Sequence, residues 1–183
     1  MIYTSVTGNY DKPRTDVKCF TEYDRFKDQR LNAKIYKCLP HLFMPKEKWW
    51  LWIDGNLTLV KDSFMEFLEF TTSEDVVVFE NPYRGTVGEE MEEIVRLGLD
   101  KKEIVEAQTY NKKAKLPACF LIFRKNTAEV IRSNEQWWAE ICAGSVRDQI
   151  SFPKCYRDAK YLPRVNPFNN KYFTRHGHSI PRG

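Results

Sequence analysis

Trp49-Trp50-Leu51-Trp52-Ile53-Asp54-Gly55-Asn56 is the stretch that decides the fold class. Its apolar run has no polar alternation, which describes a strand buried on both faces, and such strands belong to sheets covered by helices on both sides. The run ends abruptly, so a carboxylate and a carboxamide stand two residues apart in a turn just beyond the strand. In open α/β sheets the ligand crevice lies outside the carboxyl ends of the strands. Two readings of the turn stay open here. One is ordinary Asp/Gly/Asn turn chemistry; the other is a pair of oxygen ligands for Mg²⁺ or Mn²⁺, hard cations that also take phosphate oxygens from a substrate.

Outward from this strand, similar signals repeat. Ile2 to Val6 reads as a strand that ends in the Gly8-Asn9 turn, and Val76 to Phe79 and Phe120 to Phe123 read as further buried strands. Asp28 to Leu39 carries Leu31, Ile35, Cys38 and Leu39 at helical spacing and stops at Pro40, leaving Arg30, Lys34 and Lys37 on a neighbouring basic face. Ser63 with Glu66, and Thr86 with Glu89, have capping-box spacing; Thr127 to Cys142 reads as a helix that Gly144 ends. Ser145 is expected to cap one more short helix, whose first turn would present Arg147-Asp148-Gln149, either into a cleft or simply to solvent. The pattern is one α/β domain, and the loops at residues 8–11, 54–56 and 81–84 all follow strands and are expected to face a single cleft. Pro153, Pro163, Pro167 and Pro181 argue for an irregular, extended segment after it.

At 183 residues the chain has room for one compact domain, and 42% hydrophobic with 30% charged residues excludes wholesale disorder. The aromatic share of 14% lines either a packed core or a ligand cleft. The net charge of +4 is concentrated: from Lys154 onward seven basic residues face Asp158 alone. That segment is either a solvated tail or a strap for the phosphates of a nucleotide or a nucleic acid. The five cysteines have no Cys-x-x-Cys spacing and read as reduced core thiols. With no signal-peptide pattern and no apolar stretch of membrane-spanning length, the expected compartment is the cytoplasm. Neither phosphate-binding glycine motif occurs, and no Gly-x-Ser-x-Gly elbow surrounds a serine, so P-loop, dinucleotide-fold and serine-hydrolase chemistry are unsupported.

An ordered set of short blocks carries a resemblance. It comprises Tyr3-Thr4 with Gly8-Asn9-Tyr10-Asp11, Cys19-Phe20-Thr21, Arg30-Leu31-Asn32-Ala33-Lys34, Leu39-Pro40-His41, Trp52 to Asn56, Pro82-Tyr83-Arg84, Trp137-Trp138-Ala139-Glu140 and Ser145 to Phe152. Over Met1 to about Phe152 the chain resembles the TOD/MUCI-type glycosyltransferase-like family, which is similar to family 8 glycosyltransferases. The resemblance implies a GT-A-type, Rossmann-like fold with a mixed, mostly parallel central sheet: a catalytic domain over 1–153 and a basic segment over 154–183 that closes over the donor site. It implies a UDP-sugar donor with Mn²⁺ or Mg²⁺ on the diphosphate. Asp54 and Asn56 match the metal-binding block, with Asn56 where relatives carry Asp. Thr4, Gly8 and Tyr10 match the uridine loop, Arg30 and Lys34 the basic helix, and His176 or His178 the metal-completing C-terminal histidine. Arg147, Asp148 and Gln149 match the block beside the transferred sugar and the acceptor. Plant relatives commonly carry a membrane anchor that is not seen here, so the chain looks like a minimal bacterial or phage member, acting in the host cytoplasm if phage-encoded. The acceptor it suggests is a 5-hydroxymethylated pyrimidine in phage DNA; the alternatives are a glycan, lipid or protein acceptor, or a nucleic-acid-binding module without catalysis.

Overall fold

The computed structural model describes residues 1–8, 11–71, 73–108 and 111–177, with the side chains of residues 61–63 and 70 excepted. In chain order the elements are β1 (Ile2–Ser5), β2 (Lys18–Phe20), α1 (Gln29–Cys38), α2 (Pro40–Phe43), β3 (Trp49–Ile53), β4 (Leu57–Leu59), α3 (Lys61–Thr71), β5 (Val76–Glu80), α4 (Val87–Arg96), α5 (Lys102–Ala107), β6 (Pro117–Lys125), α6 (Ala128–Ala143), α7 (Asp148–Cys155), β7 (Lys160–Leu162) and β8 (Phe173–Arg175). Six strands form the central sheet in the order β2-β1-β3-β6-β5-β7. Only β6 runs against its neighbours, so the other five strands end at the same edge.

Side-chain alternation along β3 explains why its run has no polar residue. Trp50 and Trp52 pack with Tyr3, Val78 and Ile122 beneath α1, α6 and α7, while Leu51 and Ile53 join Val77, Phe79, Leu121 and Phe67 on the opposite face. Most of the aromatic surplus is spent on that packing, as in the stacked Phe20–Tyr36 and Phe152–Tyr156 pairs. A third cluster, around Ile94, Val105 and Leu116, seats α4 and α5.

The helix signals hold in part. Asp28 caps α1 through the Arg30 N–H, Thr127 caps α6, Gly144 ends it, and Thr86 with Glu89 forms a full capping box on α4. Ser63 is not a cap: α3 already begins at Lys61, two residues earlier. Ser145 is not the cap of α7 either; Arg147 holds that place, while the Ser145 hydroxyl donates to Asp100 Oδ2 at 2.5 Å and accepts from the Arg147 N–H at 3.1 Å. The segment after Pro153 is less irregular than its prolines suggest. Pro153 lies inside α7, β7 extends the central sheet beside β5, and β8 pairs with β4. Among the cysteines, Cys38, Cys119 and Cys155 are buried thiols as expected, whereas Cys142 is exposed on α6.

Candidate functional site

Helix α1 lies antiparallel along β1, stitched by Thr7 Oγ1 to Gln29 O, Ser5 Oγ to Ala33 O and Tyr3 Oη to Lys37 O. Side chains on a helix lean towards its N-terminus, and residues three apart share a face. Lys34 and Lys37 therefore climb together towards the carboxyl edge of the sheet. There both ammonium groups meet Asp148 Oδ2, at 2.9 Å from Lys34 and 2.6 Å from Lys37. Lys37 Nζ is also 3.6 Å from Asp54 Oδ1 and 5.2 Å from the centre of the Trp52 ring. The Trp52 indole completes the cluster by donating to Asp54 Oδ1 at 2.9 Å.

The electrostatics follow from burial. Desolvation alone would raise the Asp148 carboxyl, but the charges of Lys34 and Lys37 outweigh it and hold the group well below the usual carboxylate range. Desolvation alone would lower Lys37, yet Asp148 and then Asp54 lift it above an ordinary lysine. At neutral pH Asp148 is thus a strongly held anion and a weak base. Its carboxylate oxygen is the shared partner of two cations.

The rest of the Arg147-Asp148-Gln149 block points elsewhere from the same turn. Arg147 reaches the buried Glu90 of α4 at 3.6 Å, which also pairs with Arg84. Gln149 Nε2 donates to the Pro117 carbonyl at 3.3 Å. The turn itself is fixed from behind: Trp137 Nε1 donates to the Asp148 carbonyl at 3.0 Å, and Gln108 bridges Glu140 O and the Ser145 N–H. A Cβ on Gly144 would stand 2.0 Å from Gln108 Cδ, so this glycine makes room for the bridge.

The turn after β3 lies at the same edge. Asp54 is hydrogen-bonded through its main chain to Phe120 O and Leu57 N, and its carboxylate is 40% exposed, open on the side away from Trp52. His176, at the end of β8, donates its N–H to Asn56 O at 2.8 Å, and Asn56 Nδ2 donates to His176 O at 3.1 Å. The His176 imidazole bonds Thr58 Oγ1 at 3.0 Å through Nε2. Pairing with the His176 main chain therefore sets that residue beside Asn56, two positions from Asp54, with its ring turned to Thr58. This set offers a carboxylate, a carboxamide and an imidazole, which suits a divalent cation. Among the described residues no three His, Cys, Asp or Glu side chains cluster closely enough to hold a metal, so any such ion here depends on Asn56 or on groups outside that set.

Of the residues that the resemblance assigns to uridine, Thr4 and Gly8 are described. Thr4 Oγ1 is buried without a partner, and an added Cβ on Gly55 would come within 3.9 Å of it. Gly8 has φ +70°, a backbone that other residues rarely adopt. Tyr10 and His178 lie outside the described residues. Arg30 is not brought into the cluster: its guanidinium folds back on Asp28, with Nη2 2.8 Å from Oδ2. Lys37 takes the place the sequence reading gave to Arg30. The signal for it was its position one turn after Lys34 on the same face.

The domain described as TOD1/MUCI70, glycosyltransferase-like, matches residues 19–176. The chain belongs to this family. Within the TOD1/MUCI70 match lie β3 with Asp54, the lysine helix, the start of α7 and β8 with His176. The match thus runs well past Phe152 to the end of the last described strand. Among solved structures, a glycosyltransferase involved in the glycosylation of the major capsid of PBCV-1 is similar with a TM-score of 0.50 at 8% identity, covering 88% of this chain and 81% of that one. At that identity the likeness is one of fold, and it agrees with the α/β class read from β3 and with the GT-A-type architecture that the resemblance implied. A protein from STIV is similar at 10% identity with a TM-score of 0.43 over the same shares. No curated protein sequence matches the chain. No helix among the described residues is long and apolar enough to cross a membrane.

Proposed function

We propose that this TOD1/MUCI70 domain moves a sugar from a UDP-sugar to an acceptor hydroxyl at the carboxyl edge of the sheet. The observation that carries the reading is the pair of buried Lys37 and half-buried Lys34, aimed by Asp148 at the edge where Asp54 stands. Two ammonium groups in a water-poor site stabilise negative charge where it develops, which in sugar transfer is the departing diphosphate. Thr4, whose Oγ1 has no partner, with Gly8 and Tyr10 would form the loop that holds the uridine. Asp54, Asn56 and His176 or His178 would hold Mn²⁺ or Mg²⁺, which when bound adds Lewis-acid neutralisation of the diphosphate. Arg147 and Gln149, held by Glu90 and the Pro117 carbonyl, fix the turn that carries Asp148. The segment beyond Lys154 closes the donor side through the β4–β8 pairing.

For the acceptor, a 5-hydroxymethylated pyrimidine in DNA is the first to assay. Arg157, Lys160, Arg164 and Lys171 are all exposed on the closing segment, although Arg164 and Lys171 already pair with Glu80 and Glu66. A binding module without catalysis would have no use for the buried Lys34–Lys37–Asp148 cluster.

The reading is tested by thermal melting with Mn²⁺ and a panel of nucleotides, since a ligand that binds only the folded state raises the Tm. UDP with Mn²⁺ is expected to give a larger shift than ADP or GDP. Equal shifts, or none, would remove uridine from the proposal.

A further inference from the structure

Arg124, on β6, is a full charge with no exposed surface that the donor site does not touch directly. Its Nη1 donates to Asn134 Oδ1 at 2.7 Å and Tyr156 Oη at 3.2 Å; its Nη2 donates to Tyr3 Oη at 2.7 Å and to the Lys37 carbonyl at 2.5 Å. The Trp137 ring centre lies 5.9 Å away. Among the described residues no carboxylate pairs with it, and its hydrogen-bond partners are a carboxamide, two phenols and a carbonyl. A buried cation without a counter-charge is costly, and an apolar side chain of similar volume would stabilise a core better. Its place therefore needs a reason other than packing.

The reason lies in what the guanidinium holds. Lys37 is the penultimate residue of α1, where carbonyls have no partner within the helix and carry the negative end of the helix dipole. Arg124 satisfies that carbonyl, and Tyr3 Oη, which accepts from Arg124, donates to the same oxygen at 3.2 Å. The side chain of that same residue ends at Asp148 and Asp54. Arg124 thus fixes the root of the lysine whose tip lies at the cleft.

We propose that Arg124 is a positioning residue of the donor site, acting through Lys37 by locking the last turn of α1 against β6 and β1. The proposal rests on the donor reading above.

The test is a double-mutant cycle of Arg124→Lys and Lys37→Met, reading affinity for UDP and for uridine by calorimetry. Uridine lacks the diphosphate, so the UDP-to-uridine affinity ratio isolates the phosphate contribution. Arg124→Lys keeps the charge but not the fork that ties the Lys37 carbonyl, on one nitrogen, to Asn134 and Tyr156 on the other. It is expected to lower the ratio about fivefold in the native background and to have no further effect once Lys37 is Met, the coupling of residues that act as a unit. A core role alone would lower the Tm and leave the ratio unmoved; an equal effect in the Lys37→Met background would mean that Arg124 acts independently. Either result overturns the proposal. Arg124→Gln repeats the cycle with amide donors and no charge, and unfolding of both variants assigns Arg124 to the core and overturns it too. A native protein that binds UDP no better than uridine instead removes the donor reading, and this inference falls with it.

Discussion

Asp148→Asn is expected to destabilise the fold by about 3–5 kcal/mol and to abolish transfer. Removing one partner of a buried ion pair leaves the other charge uncompensated, and that is where penalties of this size arise. Here one carboxylate holds both Lys34 and Lys37, at 2.9 and 2.6 Å. For a chain of this length the loss corresponds to a fall in Tm of roughly 10 °C, read by thermal unfolding. The pH dependence follows from the directions of the shifts. Asp148 is held below its unfolded value, so its contribution is complete above about pH 4 and fades as pH falls through the folded value. Lys37 is raised above its unfolded value, so its contribution is complete below about pH 10 and fades as pH rises through the folded one. The stability gap between the native protein and Asp148→Asn is therefore widest near neutral pH and narrows both in stronger acid, as Asp148 protonates, and in stronger alkali, as Lys37 loses its proton. Combining Asp148→Leu with Lys34→Met and Lys37→Met should recover most of the stability but none of the activity, because an apolar trio is a good core and a poor diphosphate site. A stable and active Asp148→Asn would show that the lysines are aimed by something else.

Asp54→Asn is expected to separate function from fold. The Asp54 carboxylate is 40% exposed, and the carboxamide that replaces it still accepts from the Trp52 indole. Its pairing with Lys37 at 3.6 Å is long and half in solvent, so stability should change by no more than about 1 kcal/mol. Transfer should fall by roughly 10²–10³, the size of loss expected when a group that neutralises the departing charge is removed, here the cation that Asp54 would hold. Steady-state release of UDP measures the effect, with the melting curve as the control. Unchanged turnover would take Asp54 out of the diphosphate site and the proposed metal with it.

The contrast between these two carboxylates shows what a sequence can and cannot reveal. Asp54 was legible because it follows a strand buried on both faces, and the alternation of Trp50 and Trp52 against Leu51 and Ile53 is a direct product of that burial. The resemblance marked Asp148 as a site residue, but nothing in the sequence marked it as the anchor of two lysines, since that pairing spans more than a hundred residues. Arg30 and Lys37 look alike on a helical wheel. Only packing reveals that the first turns back to its own cap, Asp28, while the second runs beneath the sheet edge. Strands β2, β4, β7 and β8 are three residues each, too short for any period to appear, and their partners are distant in the chain. Ser63 and Ser145 have cap-like spacing, yet α3 starts early and the Ser145 hydroxyl is engaged by Asp100. Arg124 left no trace, because an arginine near the end of an apolar run reads as an edge residue.

The most direct test of the account is UDP release from a panel of UDP-sugars with Mn²⁺ present, with and without a chelator. The account predicts that at least one UDP-sugar is consumed by the native protein, and that the chelator and Lys37→Met each stop it. Consumption of another class of nucleotide sugar but no UDP-sugar, or turnover that Lys37→Met leaves intact, would contradict it.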